Sequence, residues 1–383
     1  MSEEAEDPSG PSNEGDAQPP ELAPLVPAPA VQKFLISTTC HLADRFQSPA
    51  ILIAEARPGL GNWSTHQRLN AVDNARTVMA LVFRTDPEAQ GGLIIPQYDG
   101  AADFLCALLA LLYGKRFDLH GAVENSGFFG LPDFRHLDTY SDPCLPQNGP
   151  VVRADFPFPH TLAVAGQILT VALSHHDDLE PFKSAAKFYL QALRTVEQDV
   201  EMAYLHLISA GEVLTGSMDL CADALVDSKT RNLLEKIEAE MPDGAKIARI
   251  IRGKLRSIKR RFVAGLQSLV EPDFFARGDA IQARLRPTAA DFAKRLGAAY
   301  DLRSKYIHTG RPFGDRVGPY GVDFTEVQFG EPMAPTREEA LMLLRAPTYV
   351  GLERILRYCL LRYLQTLGLP LEVPQGNAEG DQG

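Results

Sequence analysis

Residues Phe188–Gly216 read FYLQALRTVEQDVEMAYLHLISAGEVLTG, and this stretch sets the architecture of the chain. Apolar side chains recur at helical spacing (Phe188, Leu190, Leu193, Val196, Val200, Ala203, Leu207, Ala210, Leu214). That period predicts a helix over Pro181–Leu214, with Gly216 placed to close it. Outward from it toward the C-terminus, further helices are predicted over Ser228–Glu240, Gly244–Val270, Asp279–His308 with breaks near Pro287, and Thr336–Leu367. Ser228, Asp279 and Thr336 suit N-cap positions, and Thr336 with Glu339 has the spacing of a capping box. Gly310 follows the third of these helices where left-handed closure is favoured, and Arg311–Pro335 is rich in Gly and Pro and reads as an irregular excursion.

Toward the N-terminus the texture changes. Short β-type runs (Phe34–Thr38, Ile51–Ala56, Val78–Arg84, Leu93–Pro96) alternate with Pro, Gly and Asp/Asn clusters, and one helix, Ala101–Tyr113, stops at Gly114. Residues 114–160 read as loop. Residues 1–30 are rich in Pro, Glu, Ser and Ala without hydrophobic period and are expected to be disordered. The predicted class is α+β overall: a disordered end at 1–30, a mixed α/β domain at 31–160, an all-α helical bundle at 161–367, and a disordered tail at 368–383.

The 383 residues carry a net charge of −11, which taken whole argues against a nucleic-acid partner. The charge is uneven. Residues 1–30 hold seven acids and no Lys or Arg, whereas residues 181–365 hold 23 acids against 28 bases, so the helical half is basic. The acidic N-terminus lacks the positive and apolar regions of a secretory signal, and the longest apolar runs, Phe104–Tyr113 and Thr161–Ser174, fall short of the ~20 residues of a membrane span. A cytoplasmic protein that does not enter the membrane is expected, with both runs as buried core helices. Five scattered cysteines (Cys40, Cys106, Cys144, Cys221, Cys359) without a CxxC pair predict reduced core thiols and no metal site. No phosphate-loop, GxSxG, HExxH or GxGxxG signature is present. His175-His176-Asp177-Asp178 reads as a solvated turn, and Trp63, His66, Arg68, His120, Glu124 and Arg135, in Gly-rich loops, do not assemble into a site from sequence.

The chemistry-bearing stretch is Tyr300–Gly310, YDLRSKYIHTG. Arginine suits a bidentate grip on phosphate and histidine suits proton transfer near neutrality, so Arg303 and His308 together supply what metal-free RNA cleavage needs. Five residues apart, they flank a helix at ~140°. They converge only if the last turn relaxes toward Gly310. A second feature is Lys246–Arg261, KIARIIRGKLRSIKRR, with eight bases in sixteen residues. Helical spacing puts Arg249, Arg252, Arg256, Lys259 and Arg260 near one face, which reads as an RNA-contacting stripe, a solvated face or a membrane-surface helix.

With FYLQALRTVEQDVEMAYLHLISAGEVLTG, YDLRSKYIHTG and the closing VGLERILRYCLLRYLQ (Val350–Gln365), the C-terminal half resembles the HEPN superfamily, most closely its Apea-like bacterial group. The resemblance implies an α-helical bundle that forms a homodimer, bringing two Arg-x4-His motifs into one cleft as a composite, metal-independent endoribonuclease with no cofactor. It assigns catalysis to Arg303 and His308 and auxiliary roles to Ser304, where family members commonly carry Asn, Asp or His, and to Glu212, an acid in the core helix suited to pair with Arg303. It further implies RNA as substrate, a place in phage defence, toxin–antitoxin pairs or RNA processing, and an antitoxin or phage-derived trigger as partner. Some family members are inactive and act as binding modules.

Overall fold

The structure is a computed structural model; it describes residues 31–40, 42–56, 77–85, 98–132, 153, 155–173, 179–220, 225–226, 228–254, 258–277, 280–314, 316–319, 326–369 and 371. Residues 1–30 and the expected strand Leu93–Pro96 lie outside them, as do the Asp279 cap, Cys144 and Cys221. The fold is mixed, with an antiparallel sheet toward the N-terminus and helices in the C-terminal half.

The sheet has five strands in the order β2-β3-β4-β1-β5: β1 Val31–Thr38, β2 Phe46–Gln47, β3 Ile51–Glu55, β4 Thr77–Arg84 and β5 Phe117–Ser126. Phe34 pairs with Leu81 and Leu81 with Ile53, so one face collects Phe34, Ile36, Ile53 and Leu81 for the main core. The alternate residues Val31, Leu52, Ala80 and Val82 form a second, smaller cluster on the other face, as the period of two requires. The strand β5 corrects the loop expected after Gly114. Its polar residues pair across to β1: Ser37 Oγ lies 2.7 Å from His120 Nε2, and Lys33 bonds Glu124 at 2.8 Å. The register shifts between Lys33 and Ile36, opposite Gly121, which has φ 100°.

The helix α1, Asp99–Tyr113, is buried from Leu105 to its end and closes at Gly114 (φ 63°), as its sequence predicts. Within the run Thr161–Ser174, Leu162–Leu173 forms short 3-10 and one-turn pieces in place of the expected helix. The helix expected over Pro181–Leu214 is two, α2 Leu179–Thr195 and α3 Val200–Ser217. Asp199 breaks it: its backbone is extended and its carboxylate accepts from the Met202 amide at 2.8 Å.

Helices α4 Ser228–Glu240 and α5 Gly244–Lys254 pair on a small core of their own (Val226, Leu234, Ala248). Helix α6 spans Ile258–Leu269, so Gly244–Val270 is described as two helices. Helix α7, Phe292–Thr309, starts well after the predicted Asp279, behind a 3-10 turn at Ala283–Leu285. The stretch Thr336–Leu367 also divides, into α8 Arg337–Arg345 and α9 Tyr349–Thr366. Pro347 and the Thr348 cap separate them, while Thr336 accepts from the Glu339 amide at 3.2 Å as anticipated.

The core is continuous from the sheet through the helices. Its joint is Arg357 of α9, fully buried, which donates to the carbonyls of Leu111 (2.8 Å), Leu112 (2.6 Å) and Phe156 (3.2 Å) and pairs with the equally buried Asp155 at 3.3 Å. It thus satisfies open carbonyls at the end of α1. Beside it, Glu353 takes hydrogen bonds from Arg153 and from Tyr189. Burial pushes the Cys106 thiol up to about 12, so this core cysteine stays a protonated, unreactive thiol.

Candidate functional site

The site is built on α7 where it crosses α3 and α6. The α3–α6 approach depends on two glycines. A Cβ on Gly211 would meet Phe262 at 2.4 Å, and one on Gly265 would meet Thr215 at 2.5 Å. That close crossing brings Glu212, next to Gly211, to the flank of α7. Arg303 Nη2 reaches Glu212 Oε2 at 3.2 Å, with both side chains mostly withdrawn from solvent (26% and 18% exposed). The guanidinium also lies over the Tyr300 ring at 5.6 Å, and Tyr300 in turn packs on Phe262 at 5.7 Å. Burial, then the neighbouring Glu212 carboxylate, push the Tyr300 hydroxyl up to about 12. It therefore stays a donor at every physiological pH. Glu212 is thus held by Arg303, and Arg303 is fixed from two sides, by Glu212 and by the Tyr300 ring.

The other end of α7 is anchored separately. The Gly310 amide closes the last turn on Tyr306 O at 2.8 Å, with φ 65° at Gly310. Phe313 then inserts between Tyr204 (5.3 Å) and Tyr306 (5.4 Å). The helix stays regular through Thr309, so the last turn does not relax. Arg303 and His308 remain ~140° apart around the axis and ~7.5 Å along it. Arg303 faces Glu212, whereas His308 is exposed beside Ile307, which is 53% exposed, and makes no hydrogen bond to any described residue. Ser304 is half-buried between them in sequence. Within one chain the two motif residues therefore serve different surfaces.

Two carboxylates absent from the motif stand close to it. Glu339 of α8 pairs with Lys305 and, at 3.3 Å, with Arg311. Asp301 takes Lys259 Nζ on both oxygens at 2.6 Å. Tyr300 was not read as a site residue, although its place one turn before Arg303 was a signal; Glu339 carried none beyond its capping role, because its partners Lys305 and Arg311 come from α7 and the residues just after it.

The basic stretch does not present one free stripe. Arg249 is exposed, but Lys259 is taken by Asp301, Arg260 donates to Leu225 O at 3.2 Å, and Arg261 caps the end of α3 through the carbonyls of Thr215, Gly216 and Met218. Arg256 and the side chain of Arg252 lie outside the described residues. So do Trp63, His66, Arg68, Arg135 and the His175–Asp178 turn, while His120 and Glu124 belong to the sheet pairs given above. Among the described residues no group of three His, Cys, Asp or Glu is placed to hold a metal ion, and no helix is long and apolar enough to cross a membrane.

No family model, curated protein or solved structure matches this chain.

Proposed function

We propose that the chain is a HEPN-type, metal-independent endoribonuclease that acts as a homodimer. The observation that carries this reading is the Arg303–Glu212 pair beside an exposed His308 on one regular helix. Because the two motif residues diverge within one chain, a second copy is what would bring a histidine to each arginine. In that composite site Arg303 holds the scissile phosphate. One copy's His308 takes the proton from the ribose 2′-oxygen as it attacks phosphorus, and the other's His308 gives a proton to the departing 5′-oxygen. The products are a 2′,3′-cyclic phosphate and a 5′-hydroxyl. The biological setting is phage defence or a toxin–antitoxin pair in the cytoplasm, with an antitoxin or phage-derived trigger acting on residues 31–160. The reading is tested by incubating the full chain with a mixed-sequence RNA in EDTA and identifying the ends: cyclic phosphate and 5′-hydroxyl termini support it, and 3′-hydroxyl termini contradict it.

A second reading is a binding module without turnover. It is favoured by the carboxylates that already partner the cations of this surface: Glu212 with Arg303, Glu339 with Lys305 and Arg311, Asp301 with Lys259. An RNA or nucleotide complex at low salt with no cleaved product under any condition distinguishes it.

A further inference from the structure

A groove of about 590 Å³ runs between α6, α7 and α8, on the side of α7 marked by Asp301. Small residues, Ala264, Gly297 and Ala298, open its floor, and Val263, Leu341 and Met342 make its apolar walls. Four cations stand around it (Lys259, Arg260, Lys294, Arg345) against two carboxylates, Asp301 and Glu338. Asp301 is already closed on Lys259. Lys294 and Arg345 are exposed and, among the described residues, make no ion pair. The groove therefore suits an occupant that is anionic along its length and carries a few apolar side chains.

The chain contains such a segment. Residues 1–30, outside the described residues, hold seven carboxylates and no Lys or Arg. Within them, Leu22, Leu25 and Val26 stand among Pro19, Pro20, Pro24, Pro27 and Pro29, close to Asp16 and Glu21. A proline-rich stretch favours an extended polyproline conformation that loses little entropy on docking. Reach does not limit it. Thirty extended residues span up to ~100 Å, against a radius of gyration of ~21 Å for a folded chain of this length. Their anchor is Val31, the first residue of β1.

We propose that residues 1–30 dock into this groove of their own chain, Leu22–Val26 against its apolar walls and the neighbouring carboxylates on Lys294 and Arg345. The occupant then covers the flank of α7 that carries Asp301, and because the cross-link that tests this docking is read without RNA, its failure is distinguishable from failure of the function argued above. Zero-length carbodiimide cross-linking of the full-length chain, read by mass spectrometry, tests it. Lys294 should join a carboxylate among residues 3–21, and Arg345→Glu or 0.5 M salt should lower that product several-fold, since such contacts are screened. Replacing Leu22 and Leu25 by Asp should also lower it although the segment becomes more acidic, which separates seating in the groove from bulk charge attraction. Mixing isotope-labelled and unlabelled chains should give links within one chain only. Absence of the Lys294 product, its increase in the double Asp variant, or links between chains would each overturn the proposal.

Discussion

Arg303 and Glu212, 91 positions apart in sequence, meet at 3.2 Å where α7 crosses α3. The pair sits between two ranges of behaviour. Exposed ion pairs contribute up to ~1 kcal/mol, whereas a buried charge stripped of its partner costs several. Tyr300 makes the pair a three-membered unit, because its ring lies under the Arg303 guanidinium and the Glu212 carboxylate raises its hydroxyl.

Glu212→Gln is expected to cost about 1 kcal/mol of folding stability and to lower the Tyr300 titration toward its ordinary value, since the neighbouring negative charge is removed. Tyrosine-labelled NMR, with Tyr300→Phe to assign the signal, measures this. A Tyr300 titration unmoved by the substitution would contradict the influence of Glu212 on this hydroxyl.

Gly211→Ala is expected to destabilise the fold by about 1–3 kcal/mol, because the new methyl group must displace the Phe262 ring and crowd Leu356. Gly216→Ala, where an added Cβ meets nothing within 4 Å, is the control and should cost far less. Urea denaturation of the two variants compares them.

Arg357→Ala removes the buried partner of Asp155 and leaves the carbonyls of Leu111, Leu112 and Phe156 without a donor. A loss of about 3–5 kcal/mol is expected. Arg357→Lys should recover only part of it, because one ammonium does not span the same acceptors. A loss below about 1 kcal/mol for the alanine variant would show that sheet and helices do not depend on this joint.

How far this was legible in the sequence differs by element. Helix α1 was readable because its apolar run and Gly114 are both local signals. The α2–α3 break was hidden because Val196 and Val200 face inward on both sides of it, so the apolar period runs on through the turn. The clue was Asp199, whose capping role competes with that period. Strand β5 was missed because His120 and Glu124 meet Ser37 and Lys33 of β1, far away in sequence. At the site, the Arg303–Glu212 pairing was anticipated from the family resemblance. The diversion of Lys259, Arg260 and Arg261 to Asp301 and to backbone carbonyls was not, because a run of cations in sequence does not show which acceptors the fold brings to it.

Glu326 gives a pH dependence. Burial raises its carboxyl above the ordinary value, against the lowering influence of the Thr348 hydroxyl bonded to it at 2.8 Å and of Arg354, Arg295 and Arg153. The folded chain therefore binds this proton more tightly than the unfolded one. Its contribution is fully present below the ordinary carboxylate range and is lost as pH rises through the raised value. Glu326→Gln, which keeps an acceptor for Thr348, should flatten the fall in stability on the alkaline side of that range and be more stable than the parent at pH 7. Urea titrations at pH 4 to 8 measure it, and identical pH profiles for the two proteins would contradict the account.

The central claim is that Arg303 and His308 cleave RNA without metal. The direct measurement is the cleavage rate of the full chain and of its Arg303→Ala and His308→Ala variants on one RNA, in EDTA and in magnesium, with circular dichroism confirming the fold of each. The account predicts cleavage by the parent in both conditions and a loss of at least about 100-fold, the low end for removing a positioned acid or base, in either variant. Cleavage retained by both variants, or seen in magnesium alone, would contradict it.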